Sequence, residues 1–137
     1  MPWGIAAVTA RERRQLDLGN ALYRTTIIFA AICLATGTSA IVEHPAPPVW
    51  EPRCPSSWHM RETTWILSHQ QANLHILDQC QFGCKAMKPT GLMAIHLNEL
   101  GHGIDLALGR GRCQHRAHAI QRGRREDGSW HTSELKT

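Results

Sequence analysis

Two sets of side chains in this chain have the types and spacing for chemistry. The first pairs a carboxylate with cations. Glu43 closes a short apolar run, Ser39-Ala-Ile-Val-Glu, directly before His44-Pro45, and a second composite follows in DQCQFG (78–83) and KPT (88–90). A carboxylate at the carboxyl end of a buried strand is aimed at the crevice where open α/β sheets bind ligands. In the second composite Lys85 and Lys88 offer cations to phosphate, Phe82 a stacking face, and Thr90 a hydroxyl. The second set is thiolate and imidazole. Cys80-x3-Cys84 and Cys113-x-His115-x2-His118 hold enough soft ligands to close a tetrahedral zinc site. Their spacings depart from those of common zinc fingers, and 28 residues separate the halves. Buried or incidental cysteines are the simpler account, and a zinc-stabilised module the alternative.

The elements that must position these groups follow from patterning. Residues 9–35 read as a helix, with Thr9 as cap and Glu12 in capping-box position. Its carboxyl half is apolar nearly all round, which implies deep burial, and Gly37 is the expected stop. Ser39–Glu43 reads as a strand whose continuous apolar run implies cover on both faces, as in a parallel sheet. Five prolines in 44–56 exclude a regular helix or central strand there. Ser56 or Ser57 then caps a helix through about Gln70. Leu74–Asp78 and Thr90–His96 read as strands able to pair antiparallel across the 79–89 loop. A short helix over 97–108 is weakened by Gly101 and Gly103. Residues 1–108 thus form a partial α/β domain of about three strands with flanking helices, and 109–137 an irregular basic tail. So small a sheet should leave an edge uncovered.

Charge and cysteine usage narrow the setting. Residues 1–108 carry 8 basic and 8 acidic side chains, and 109–137 carry 7 and 3, so the whole net charge of +4 lies in the tail. Such a tail attracts polyanions in a salt-dependent way, although a solvated tail needs no partner. Five irregularly spaced cysteines do not make a secreted disulfide framework, which points to a reducing, intracellular setting. Residues 25–42 are uncharged over a length near that of a membrane span, but the Thr-Gly-Thr-Ser cluster interrupts them. A helix followed by a strand explains that pattern better than a membrane anchor.

The run GNALYRTTIIFAAICLATGTSAIVEHP (19–45) resembles the helix and strand before the Glu-Asn motif of DNA cytosine-5 methyltransferases and their divergent relatives. LHILDQCQFGCKAMKPTGLMAI (74–95) resembles the later strand–loop–strand hairpin of that fold, and GRCQHRAHAIQRGRREDGSWHT (111–132) is similar to the ending of a divergent branch. The resemblance implies an incomplete Rossmann-like half-domain of the S-adenosylmethionine-dependent class. It implies that Glu43 is the catalytic-site residue gripping a flipped-out cytosine along its Watson–Crick edge. It also implies that Phe82, Lys85, Lys88 and Thr90 lie beside the nucleic acid. His44 stands where the family has asparagine, and Pro45 agrees with its Glu-Asn-Pro variant. The family's Pro-Cys nucleophile has no counterpart, since Cys54 precedes a proline and Cys80 lies in the hairpin. The glycine-rich cofactor turn has none either. The expectation is a base-facing wall without cofactor loop or nucleophile, inactive alone and in need of a missing N-terminal half or a partner chain. The rival expectation is a small basic nucleic-acid-binding module, with or without zinc.

Overall fold

Thr9 opens the first element as its type and spacing require. Its hydroxyl accepts from the Glu12 N–H at 3.3 Å, and the Glu12 carboxylate accepts from the Thr9 N–H at 2.8 Å, completing a capping box. The computed structural model describes residues 9–47, 54–108, 113–115, 117 and 118. Helix α1 (Ala10–Thr36) runs 27 residues and ends at Gly37, whose φ of 73° is left-handed. Strand β1 (Ala40–Pro45) follows. A 3₁₀ turn (Ser57–His59) leads into helix α2 (Arg61–Leu67), then come strand β2 (Ala72–Asp78), a second 3₁₀ turn (Gln79–Phe82), strand β3 (Pro89–Ile95) and helix α3 (Leu100–Leu108).

The three strands share one sheet in the order β1-β3-β2, and both pairings are antiparallel. The expected β2–β3 hairpin is present, with Leu77 opposite Thr90 and Asp78 opposite Pro89. The parallel sheet expected from the apolar run in β1, and with it the Rossmann-like arrangement implied by the resemblance, is not. The physical reason lies in the connection: a ten-residue return from β2 to β3 is too short for a crossover, so β3 must reverse. It then inserts between β2 and β1, which run in the same direction on either side of it. The fold is therefore mixed α/β with an open antiparallel sheet.

Alternation along the strands divides the sheet into two faces. Val42, Met93 and Leu74 lie in register on one face and pack with Ala30 of α1 and Ile66 of α2. On the other face Thr90, Ala94 and Leu77 are buried, and Gly101 of α3 presses against His75. The cover on β1 is thinner than its sequence implies. As an outer strand it leaves Ile41 51% exposed, and its last three residues are exposed too. Pro45 is tolerated there because an outer strand need not donate on both sides.

Helix α1 also departs from expectation. Among its described residues only Ala30 is fully buried, while Phe29 is 63% and Ile32 51% exposed. A helix meets a single sheet face along one stripe, and nothing described covers the opposite stripe. Helix α2 stops earlier than its pattern suggests because side chains take its terminal carbonyls. Ser68 Oγ donates to Trp65 O at 2.6 Å, and His69 Nδ1 lies 3.0 Å from the same oxygen. His96, with a left-handed φ of 52°, locks the junction beyond β3. Its Nε2 donates to Leu34 O at 3.1 Å, its N–H to Gln71 O at 2.8 Å, and its carbonyl accepts from Ser39 Oγ at 3.2 Å. These bonds tie the ends of α1 and β3 to the starts of β1 and β2.

Candidate functional site

Glu43 stands near the end of β1 opposite Leu92, and strand alternation sends its side chain to the face of Thr90 rather than to that of α1. There its Oε1 meets Lys88 Nζ at 3.5 Å, where the hairpin loop re-enters the sheet. Both side chains keep close to half their surface in water, so this pair contributes at most about 1 kcal/mol. Loose pairing leaves both groups accessible to a ligand. The loop is closed beneath them by the Gln79 N–H donating to Lys88 O at 3.1 Å. Lys85 is exposed in the same loop, and Phe82 is 56% exposed beside a groove shared with Leu97 and Leu100. Thr90 differs from the other expected binding residues. It is 1% exposed, and its hydroxyl donates to Lys88 O, so it shapes the loop rather than presenting a donor to solvent.

His44 turns to the opposite face. Its ring meets Trp58 edge-on, with centroids 6.0 Å apart, and partial desolvation of this largely exposed residue lowers its pKa, opposed by Glu43 and reinforced by Lys88. Trp58 is 4% exposed and donates Nε1–H to Pro45 O at 2.8 Å, anchoring the start of the proline segment. Trp65, by contrast, is 54% exposed. Between α1, β1 and α2 a cavity of about 310 Å³ is lined by Tyr23, Val42, His44, Trp58 and Met93 among others. Tyr23 was not expected to matter. Its hydroxyl shares a 2.8 Å hydrogen bond with Thr63 Oγ1, and burial raises its pKa.

Thiols and imidazoles gather at the other end of the hairpin loop. The 3₁₀ turn after β2 carries Cys80 inward, to 6% exposure. The segment around Cys113 returns to this turn, where the Cys113 N–H donates to Asp78 Oδ2 at 2.8 Å. Cys113 Sγ lies 3.0 Å from His118 Nε2 and 3.6 Å from His115 Nδ1. The ligand atoms of Cys80, Cys113, His115 and His118 all fall within 4.8 Å of one another. Cys84 does not join them. It follows Gly83, whose φ of 89° turns the chain away after the 3₁₀ turn. Burial raises the Cys80 pKa, and Cys113 and Asp78 push in the same direction. Asp78 is 2% exposed and positions the Cys113 backbone. The only sequence signal for that role was its place two residues before a cysteine. The rest of 109–137 lies outside the described residues. No family model, curated protein or solved structure matches the chain.

Proposed function

We propose that this chain provides the base-facing wall of a DNA cytosine-5 methyltransferase-like domain and is not catalytic by itself. The observation that carries the reading is the meeting of Glu43 with Lys88 at the rim of the sheet. It brings the residue that resembles the family's cytosine-gripping glutamate next to the loop that resembles the family's nucleic-acid-facing hairpin. Supporting it, the strands of Glu43 and of the hairpin belong to one sheet. On this reading the chain contributes an antiparallel three-stranded wall, and the cofactor-binding part belongs to a complementary half.

The chemistry follows from the side chains. Glu43 accepts from the exocyclic amine of an extruded cytosine and, when protonated, donates to the ring nitrogen. Lys88 balances the carboxylate while the site is empty and turns to a phosphate when nucleic acid arrives. Lys85 adds a second cation and Phe82 a stacking surface at the loop tip. S-adenosylmethionine does not fit the described residues. Strand β2 leads into the turn of Cys80, β3 leads into His96–Glu99, and Gly101 and Gly103 lie inside α3. No described strand therefore opens into a glycine-rich cofactor turn, and methyl transfer requires a further segment or chain.

The test is fluorescence anisotropy with duplexes that carry one cytosine or one thymine opposite an abasic site, so that the unpaired base is easily extruded. Cytosine should be preferred by about 1–3 kcal/mol, the scale of a bidentate base contact. Glu43→Ala should remove the preference without changing the fold, because the side chain is exposed. Lys88→Ala should weaken both duplexes equally and reduce the salt slope by about one. Equal affinity for the two bases, or a preference untouched by Glu43→Ala, overturns the proposal.

A further inference from the structure

The thiol–imidazole cluster uses none of the residues of the Glu43–Lys88 pair and does not depend on how that pair functions. We propose that Cys80, Cys113, His115 and His118 hold one zinc ion in a closed tetrahedral site that ties Cys113, His115 and His118 to the hairpin loop. Three observations support the assignment. With Zn–S bonds of about 2.3 Å and Zn–N bonds of about 2.0–2.1 Å, ligand atoms in a tetrahedral site sit about 3.3–3.8 Å apart. The 3.0 and 3.6 Å separations around Cys113, and the 4.8 Å limit on the whole set, bracket that range, so small side-chain rotations suffice.

The second observation is the donor set itself. Two thiolates and two neutral imidazoles are the soft and borderline ligands that select zinc, and together they cancel its double charge. Binding exchanges two thiol protons for the metal, releasing both to solvent, with no oxidant or reductant involved. Neutrality matters because Cys80 is buried, where an uncompensated thiolate is costly.

The third observation is the surrounding hydrogen bonding. The His115 N–H donates to Cys113 Sγ at 3.3 Å, a contact that stabilises thiolate charge. Asp78, buried at the end of β2, accepts from the Cys113 N–H and fixes the ligand-bearing backbone. Such outer partners orient metal ligands. All four ligand positions come from protein, so the site is structural rather than catalytic. Its effect is to join residues far apart in sequence, holding Cys113, His115 and His118 beside the start of the hairpin loop.

The experiment uses the full chain, purified with a mild reductant and no added metal. Elemental analysis should find one zinc per chain. Cobalt(II) titrated into the stripped protein should develop the intense visible bands of a tetrahedral ion together with thiolate charge transfer. Cys113→Ser and His118→Gln should lose stoichiometric binding, Asp78→Asn should weaken it roughly 10–100-fold, and Cys84→Ser should behave as the parent chain. Proton release measured on the parent chain during zinc addition should approach two per ion at about pH 7.5, between the ordinary imidazole and thiol ranges, a readout independent of whether any variant folds. The proposal is overturned by substoichiometric metal, by a pale octahedral cobalt spectrum, or by a Cys80–Cys113 disulfide in the isolated protein. It is equally overturned if Cys113→Ser binds like the parent chain, because the cluster is then a thiol–imidazole hydrogen-bond network only.

Discussion

Two glycines illustrate how different the demands on a single residue can be. At Gly91 in β3 an added Cβ would lie 2.8 Å from two carbons of the Trp58 indole. That ring is rigid and tethered through Nε1 to Pro45, so it cannot yield cheaply. Gly91→Ala should cost about 1–3 kcal/mol as an overpacking change and shift tryptophan emission as the Nε1 bond breaks. At Gly37 an added Cβ meets nothing within 4 Å, but φ is 73°. Gly37→Ala should therefore cost only the left-handed backbone penalty, about 1 kcal/mol, and Gly37→Asn less. Urea midpoints for the three variants check the order, and a Gly91→Ala as mild as Gly37→Asn would mean that Trp58 is not fixed. His44 carries a pH dependence of definite sign. Its pKa is lowered on folding from an ordinary 6.5, first by burial and then by Lys88, against the pull of Glu43. The unfolded chain therefore binds this proton more readily. The contribution of His44 is complete above about pH 6.5 and declines as pH falls toward the lower, folded value. Thermal melts should show the parent chain losing more stability than His44→Gln between about pH 7 and pH 5.5, whereas parallel losses would assign the dependence to other groups.

At the scale of elements, what could be read from sequence was what local spacing determines. Thr9 and Glu12 form their capping box, Gly37 ends α1, and the hairpin strands lie within two residues of their expected limits, because each depends on neighbours a few positions away. Strand order escaped because β1 and β3 meet across more than forty residues, and β1's apolar composition suits either partner direction. The thiol–imidazole cluster was half visible for the same reason. Ligand types were plain, but only the inward 3₁₀ turn selects Cys80 over Cys84, and only docking of the tail segment brings Cys113 to it. The Tyr23–Thr63 bond, which joins α1 to α2 across 40 positions, left no sequence signal. Tyr23→Phe removes one partner from a Thr63 that is 2% exposed, and should cost about 1 kcal/mol. A double-mutant cycle with Thr63→Val is the appropriate measurement. Additive losses would show that the two helices are held together by packing alone.

For the molecule as a whole, the unexplained feature is the outer surface of α1. Helical spacing sets Leu18, Leu22, Phe29 and Ile32 along one stripe, opposite the Ile27, Ala30 and Leu34 side that meets the sheet. By length and composition α1 is apolar enough to cross a membrane, and only 6% of its most apolar window is buried. Yet the uncharged run does not continue as helix into 38–42, since Gly37 breaks it and β1 joins the sheet. Among the described residues nothing covers this apolar stripe, and large exposed apolar patches are adhesive, so in a solution of the chain alone the expectation is self-association through it. Sedimentation should accordingly show concentration-dependent association. Leu22→Glu with Phe29→Glu should suppress it while leaving the unfolding midpoint within about 0.5 kcal/mol of the parent, because exposed side chains contribute little to the fold. Two results would refute this view. A parent chain that stays monomeric at high concentration means the stripe is not adhesive, and a double variant destabilised by several kilocalories means that α1 is already covered by its own chain. Recovery of the parent chain with lipid vesicles, lost in the double variant, would instead assign the stripe to a membrane surface.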